Sequence, residues 1–250
     1  MAAYYNEIDP KTAAWLRELI KAGLIADGEV DTRSIVDVSA GDVRGFTQCH
    51  FFAGIGGWSY ALRIAGWPDD YHVWTGSCPC QPWSMAGHSN GAADSRDLWY
   101  AWFRLVRECR PGVVFGEQVD SSAGRAWLDR VCADVEHVEY AIGAAGLPAA
   151  SVGAPHARAR LWFVANTLRP RLPKRHERGV PRETEVPLAW REFERVHAAR
   201  DWKAWQAKSA IPVFVDGVSE RVGQVRGFGN AIVPEVAAAF IEAYMTCGEA

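Results

Sequence analysis

The chain has 250 residues, with 27 Lys plus Arg against 30 Asp plus Glu, a formal net charge of -3. Its 49% hydrophobic and 23% charged residues exclude a disordered or collagen-like chain, and its length suits one α/β domain with at most a small appendage. No stretch reaches the roughly 20 apolar residues of a membrane helix, the first ten residues lack signal-peptide blocks, and six cysteines are no disulfide scaffold, so a reducing cytoplasm is expected. Net charge alone argues against nucleic acid as a partner.

Tyr4 and Tyr5 suggest a short strand leading into Asn6-Glu7-Ile8-Asp9. Asp9 can cap a helix that begins at Pro10. Ala13, Leu16, Leu19, Ile20 and Leu24 give that helix an apolar face at spacings of three and four. A short strand or irregular stretch is expected over 30–38. A strand over 49–52 runs into the Gly-rich turn Phe52-Ala53-Gly54-Ile55-Gly56-Gly57, then a helix over 59–65. A strand over 72–76 delivers Ser77-Cys78-Pro79-Cys80-Gln81-Pro82-Trp83-Ser84, and 85–96 reads as loop. A helix over 97–109 places Leu98, Trp102, Leu105 and Val106 on one face, and Arg110-Pro111-Gly112 ends it. Val113-Val114-Phe115 is a short apolar strand with Glu117-Gln118-Val119 at its end. A helix over 123–136 and strands over 138–144 and 160–165 follow. This alternation predicts an α/β sheet with helices on both faces.

Composition changes over 167–210, where there are four prolines together with Trp190, Trp202 and Trp205. Between 168 and 208, about eleven Lys and Arg face about six Asp and Glu, roughly +5, which leaves about -8 elsewhere. This is a candidate inserted or appended subdomain. Gly227-Phe228-Gly229-Asn230-Ala231-Ile232-Val233-Pro234 then leads to a final helix over 235–245, with Val236, Ala239, Phe240 and Ala243 expected on one face.

Four constellations carry chemistry. Glycines in the 52–57 turn let the backbone approach a ligand, and the following helix N-terminus favours an anionic group; a purely structural turn reads equally well. Cys80 can act as a nucleophilic thiolate at a strand end. Against that, Cys78 and Cys80 also read as inert core thiols, or with Cys49-His50 as part of a metal site. Glu117 follows a parallel strand and faces the same crevice as Cys80 if both strands share the sheet; otherwise it is a solvated loop residue. Arg158 and Arg160, two apart, point to one side of an extended chain and can hold a carbonyl oxygen, a phosphate or Glu117. A solvated basic strand end is the plainer reading.

Together these motifs resemble the cytosine-5 DNA methyltransferases over about 1–165 and 227–245. The Gly-rich turn is similar to the family's first methionine-cofactor motif and Pro79-Cys80-Gln81 to its nucleophile loop. Glu117-Gln118-Val119 is similar to Glu-Asn-Val, His156-x-Arg158-x-Arg160 to Gln-x-Arg-x-Arg, and Gly229-Asn230-Ala231-Ile232-Val233-Pro234 to the closing Gly-Asn motif. Five such motifs in family order are specific. Three positions depart from the pattern: His50 stands where an acid is usual, Gln118 where Asn is, and His156 where Gln is.

Only about twenty residues separate Gly57 from Cys80, too few for the two further cofactor strands the family normally has there. Asn6-Glu7-Ile8-Asp9 resembles the motif whose Glu holds the cofactor ribose, and Gly28-Glu29-Val30-Asp31 the next one, whose acid meets the adenine amino group. We therefore expect a circular permutation, with residues 4–38 beside Gly54. The Gly-rich strand would then connect through its helix straight to the nucleophile strand, and if that helix keeps its family face the crossover is left-handed, against a rule obeyed about 98% of the time.

The resemblance implies a Rossmann-like S-adenosylmethionine-dependent methyltransferase sheet with helices on both faces and a small target-recognition subdomain. It implies a catalytic and cofactor domain over 1–166, a short basic recognition region over 167–226, and a return to the catalytic domain over 227–250. Cys80, Glu117, Arg158 and Arg160 would be catalytic. S-adenosyl-L-methionine would contact Phe52, Ala53, Gly54, Ile55, Gly56, Gly57, Glu7, Ile8, Glu29, Asp31, Pro79, Leu98, Asn230 and Ile232. Gln81, Ser84, Arg169, Arg171, Lys174 and Arg175 would contact double-stranded DNA, with no metal. A compact, phage- or prophage-like cytoplasmic monomer is expected, with a cognate restriction endonuclease as a candidate partner. The alternatives are a tRNA cytosine-5 methyltransferase and a catalytically silent DNA-binding relative.

Overall fold

The computed structural model describes residues 2–79, 98–154, 158–167 and 231–247. They form a seven-stranded sheet in the order β2-β1-β3-β4-β5-β7-β6. Its strands are β1 (Ala3–Asn6), β2 (Gly28–Asp31), β3 (Gln48–Phe51), β4 (Val73–Gly76), β5 (Val113–Val119), β6 (Tyr140–Pro148) and β7 (Ala159–Thr167). The first five are parallel, and β7 runs antiparallel between β5 and β6. The helices are α1 (Pro10–Lys21), α2 (Ala40–Val43), α3 (Gly57–Ile64), α4 (Leu98–Cys109), α5 (Ser122–His137) and α6 (Pro234–Cys247).

Local chemistry sets the element ends. Asp9 accepts hydrogen bonds from the Lys11 and Thr12 amides, and Pro10 opens α1, so two orphan donors are satisfied at once. Ser121 caps α5 through the Gly124 amide. Gly116 lies in mid-strand because a Cβ there would sit 2.1 Å from the Phe163 ring.

Several expectations need correction. Leu24 lies past the end of α1 and is 51% exposed. The stretch 30–38 divides into β2 and a 3₁₀ turn over Ile35–Asp37. Glu117 and Gln118 lie within β5, not after it, since pairing with β7 carries the strand to Val119. On α6 the buried residues are Val236, Ala237, Ala238, Ile241 and Met245, while Ala239 and Ala243 are exposed. That helix is apolar nearly all round, so periodicity does not choose its face.

Strand alternation sorts the core into two faces. Tyr4, Phe51, Trp74 and Val114 meet Ile35, Val43, Trp102, Leu105 and Val131 on one side. Val73, Phe115 and Trp162 meet Trp58, Leu62, Val236 and Ile241 on the other. Tyr5 and Leu16 pack on that second side, where the Tyr5 hydroxyl lies 3.0 Å from Ser59 of α3. So α1, α3 and α6 cover one face, and α2, α4 and α5 the other.

Residues 4–38 thus lie beside the Gly-rich strand, as the permuted order requires. The handedness follows too. The steps β3–α3–β4 and β4–α4–β5 go the same way across the sheet with helices on opposite faces, so they have opposite hands. The connections through α1, α2 and α5 share the hand of the α4 crossover. Since right-handed crossovers are the rule, β3–α3–β4 is the left-handed one.

Gly116→Ala should lower unfolding free energy by about 1–3 kcal/mol through overpacking against Phe163. Urea denaturation with an unchanged slope and midpoint would contradict that account of the strand.

Candidate active site

Beyond β3 the chain folds back through three left-handed residues, Phe52 (φ 51°), Gly54 (φ 54°) and Gly56 (φ 83°). Glycine adopts this backbone at no steric cost, whereas at Phe52 the surroundings must enforce it. The turn is tied to the first segment of the chain. The Ala53 amide donates to the Asn6 carbonyl at 3.0 Å, and the Gly54 amide donates to Glu7 Oε2 at 2.8 Å. Glu7 Oε1 accepts from the Asp9 amide at 2.9 Å. A carboxylate has about four acceptor positions, so Glu7 keeps capacity for further donors. Ile8, next to it, is 65% exposed.

A pocket opens at this turn, lined by Phe52, Ala53, Gly54, Ile55, Gly57 and Trp58, with Ser77, Ala231 and Ile232 closing it. Gly57 packs so closely on Ile232 that a Cβ would come within 2.7 Å of it. Gly56 faces elsewhere: its open side meets Leu16, Leu19 and Ile25, so its role here is to let α1 approach. Asp31 stands beside Asn6 at the same end of the sheet, where its carboxylate accepts from the Tyr4 hydroxyl at 2.7 Å and pairs with Arg33 at 2.6 Å. Glu29 is exposed and lies two residues further back along β2, opposite Tyr4. Leu98 opens α4 and packs on the opposite face of the sheet.

The second half of the site lies one strand over. Glu117 is 7% exposed, and its Oε1 pairs with Arg160 Nε at 2.8 Å. Antiparallel pairing sets Val119 opposite Arg160 and Trp162 opposite Glu117, so Glu117 and Arg160 are diagonal neighbours on one face. Burial pushes the Glu117 carboxyl above the usual carboxylate range, while Arg160, a hydrogen bond from Ser77, and Arg158 pull the other way. The two arginines are not equivalent. Arg158 has φ 28°, which breaks the extended chain, and its Nη2 donates to the Ala231 carbonyl at 2.6 Å. It ties the start of β7 to the segment entering α6, and its charge also acts on Glu117, as that of Arg160 does.

The strand leading to Cys80 is anchored by Gln118. Its Nε2 donates to the Cys78 carbonyl at 3.1 Å while its Oε1 accepts from the Val119 amide at 2.9 Å. The extra methylene relative to Asn therefore does not prevent contact with this loop. His50 belongs to the core: it is fully buried, stacked on Tyr5 at 4.9 Å and bonded to Thr75 and Gln48. Burial pushes its imidazole down to about 3, so it is neutral. Cys80, Gln81, Ser84, His156, Arg169, Arg171, Lys174, Arg175 and Asn230 lie outside the described residues. Reading the sequence missed Ser77 and Trp58. The only signal was position, at a strand end before Cys-Pro-Cys and directly after the glycines.

A family model described as C-5 cytosine-specific DNA methylase matches residues 62–187. The chain belongs to this family. Among its curated methylase relatives, the type II methyltransferase M.AplI of Arthrospira platensis is 30% identical over 92 residues, 36% of this chain and 27% of that protein. M.HhaI of Haemophilus parahaemolyticus is 32% identical over 99 residues, 38% of this chain and 30% of that protein. These matches thus span less than a third of each relative. The Dnmt2 methyltransferase of S. pombe shares the fold, with a TM-score of 0.53 and 11% identity over 99% of both chains. The sheet is therefore the Rossmann-like α/β sheet of the methyltransferases.

A carboxyl raised by burial favours the folded state below its unfolded pKa, and this contribution is lost as pH rises through its folded value. The stability of the natural chain relative to Glu117→Gln should therefore fall as pH rises from about 4. Urea unfolding of both proteins across pH checks this. A constant difference would mean that the buried charge carries no net cost.

Proposed function

We propose that the chain transfers a methyl group to carbon 5 of a cytosine in DNA. The observation that carries this reading is the buried Glu117–Arg160 pair, set at the strand end beside the one that leads into Cys80. Carbon 5 of cytosine is a poor nucleophile. Addition of the Cys80 thiolate to carbon 6 forms a C–S bond and makes the ring an enamine, nucleophilic at carbon 5. Glu117 holds ring nitrogen 3 and gives it a proton. Arg160 orients Glu117 and offers donors to the neighbouring carbonyl oxygen, while Arg158 holds the segment at Ala231 in place. Once carbon 5 carries the methyl group, its own proton leaves to a base, nitrogen 3 returns its proton to Glu117, and the restored 5,6 double bond expels the Cys80 thiolate.

The residues at the turn fit S-adenosylmethionine, which supplies an electrophilic methyl group when bound. Among the described residues, only the Phe52 carbonyl, at 3.9 Å, comes within 4 Å of where a Gly54 Cβ would be, chain neighbours aside. Glu7 has acceptor capacity for ribose hydroxyls, and Ile8 offers an exposed apolar surface to a flat ring. Asp31 stands two strands from Gly54 at the same sheet edge. Gly57, Ile232 and Trp58 wall the remainder.

A base inside a duplex cannot reach Glu117, so the target is flipped out. We read 167–226 as the recognition region, its basic residues, among them Arg169, Arg171, Lys174 and Arg175, holding phosphates. Residues 1–166 and 227–250 form the catalytic part in this reading. No described helix is long and apolar enough to cross a membrane, and a cytoplasmic monomer fits the reading. The relatives' type II names support a restriction endonuclease as counterpart.

Bisulfite sequencing of plasmid DNA from expressing cells should show methylated cytosines at one short sequence. Cys80→Ala should abolish them, and Glu117→Gln should slow transfer by about 10²–10⁴. Methylation that survives Cys80→Ala would remove the covalent step, and transfer to tRNA alone would change the substrate.

A further inference from the structure

Ser77 and Trp58, both in the pocket wall, bond to each other beside the Glu117 strand. We propose that Ser77, its hydroxyl oriented by the Trp58 indole, is a positioning residue that fixes the Glu117 carboxyl for its proton transfer. The inference rests on the methyltransferase reading of Glu117.

The strand register brings the groups together. Gly76 of β4 stands opposite Gly116 of β5, so Ser77 and Glu117 are the next pair at adjacent strand ends, and alternation puts both on the α3 face. Trp58 Nε1 donates to Ser77 Oγ at 3.1 Å. An indole N–H is a donor only, and a serine hydroxyl has a single hydrogen. With the indole on its oxygen, Ser77 has that hydrogen left for the Glu117 carboxyl at the adjacent strand position, where it favours the ionised form. A free serine could turn either way; this one is constrained to donate.

Trp58 can enforce the constraint because it is itself fixed. It is 3% exposed, stacks on Phe115 at 6.2 Å and meets Trp162 edge-on at 5.5 Å. Phe115 and Trp162 belong to β5 and β7, the strands that carry Glu117 and Arg160. Among the described residues, the charged groups around Glu117 are Arg160 on β7 and Arg158 just ahead of it. Both stand on one side, and Ser77 supplies a neutral donor from the β4 side. Glu117 is thus held between two strands.

The test is the titration of the Glu117 carboxyl carbon by NMR in ¹³C-glutamate-labelled full-length protein, with the signal assigned by its loss in Glu117→Gln. Removing a donor to the ionised form raises a carboxyl pKa. Ser77→Ala should move the midpoint up by about one unit. Ser77→Thr keeps a hydroxyl and should return it to the natural value. Trp58→Phe keeps a ring on Phe115 but loses the N–H, and should give a smaller upward shift. The alkaline limb of methyl-transfer rate against pH should move with these midpoints. Unmoved midpoints in Ser77→Ala and Trp58→Phe would overturn the proposal, as would failure of Ser77→Thr to restore the value. Shifted midpoints in a protein that methylates nothing would uphold the bonding of Ser77 to Glu117 and sink the methyltransferase reading.

Discussion

A carboxylate taken out of water costs several kcal/mol unless its charge is paired and its lone pairs are filled. Glu117, 7% exposed at the centre of the sheet's carboxyl edge, imposes that condition on everything near it. Arg160 can reach it because β7 enters antiparallel, which turns an arginine at the start of one strand toward the end of another. Ser77 can reach it because β4 stops one residue earlier. Gln118, on the reverse face, holds the loop that follows β4. The site is therefore a consequence of strand register as much as of residue identity.

The left-handed crossover has its own supports. Helix α3 must lie close to α6 and to α1 on one face, and the glycines at its start permit both approaches. Gly57 leaves space for Ile232, and Gly56 for Leu16, Leu19 and Ile25. Glu7 then joins the first strand to the turn across 47 residues of sequence with one hydrogen bond. Segments far apart in sequence thus become neighbours around the turn.

Much of this was legible in the sequence, for physical reasons. Asp9-Pro10 announces α1 because capping is local. The motifs at Gly54, Glu117 and Asn230 are legible by their order along the chain. The end of β5 was not, because polar Glu117 and Gln118 stay in the strand only through partners on both sides. The buried face of α6 was not either, since an apolar helix takes its orientation from α3 and the sheet. Ser77 and Trp58 gave no periodic signal; their pairing depends on a register and a crossover that single residues do not encode.

The pocket wall at Ala231 and Ile232 bears on how the protein is made. Phe52, Gly54 and Trp58 leave the ribosome early, whereas the residues that close over them come some 175 positions later. A nascent chain lacking α6 exposes the apolar side of α3, with Trp58 and Leu62 uncovered. It also lacks the carbonyl that Arg158 holds. Translation through residue 245 is thus a condition for a finished site. A ribosome-bound intermediate would carry most of the sheet without a complete cavity for a methyl donor.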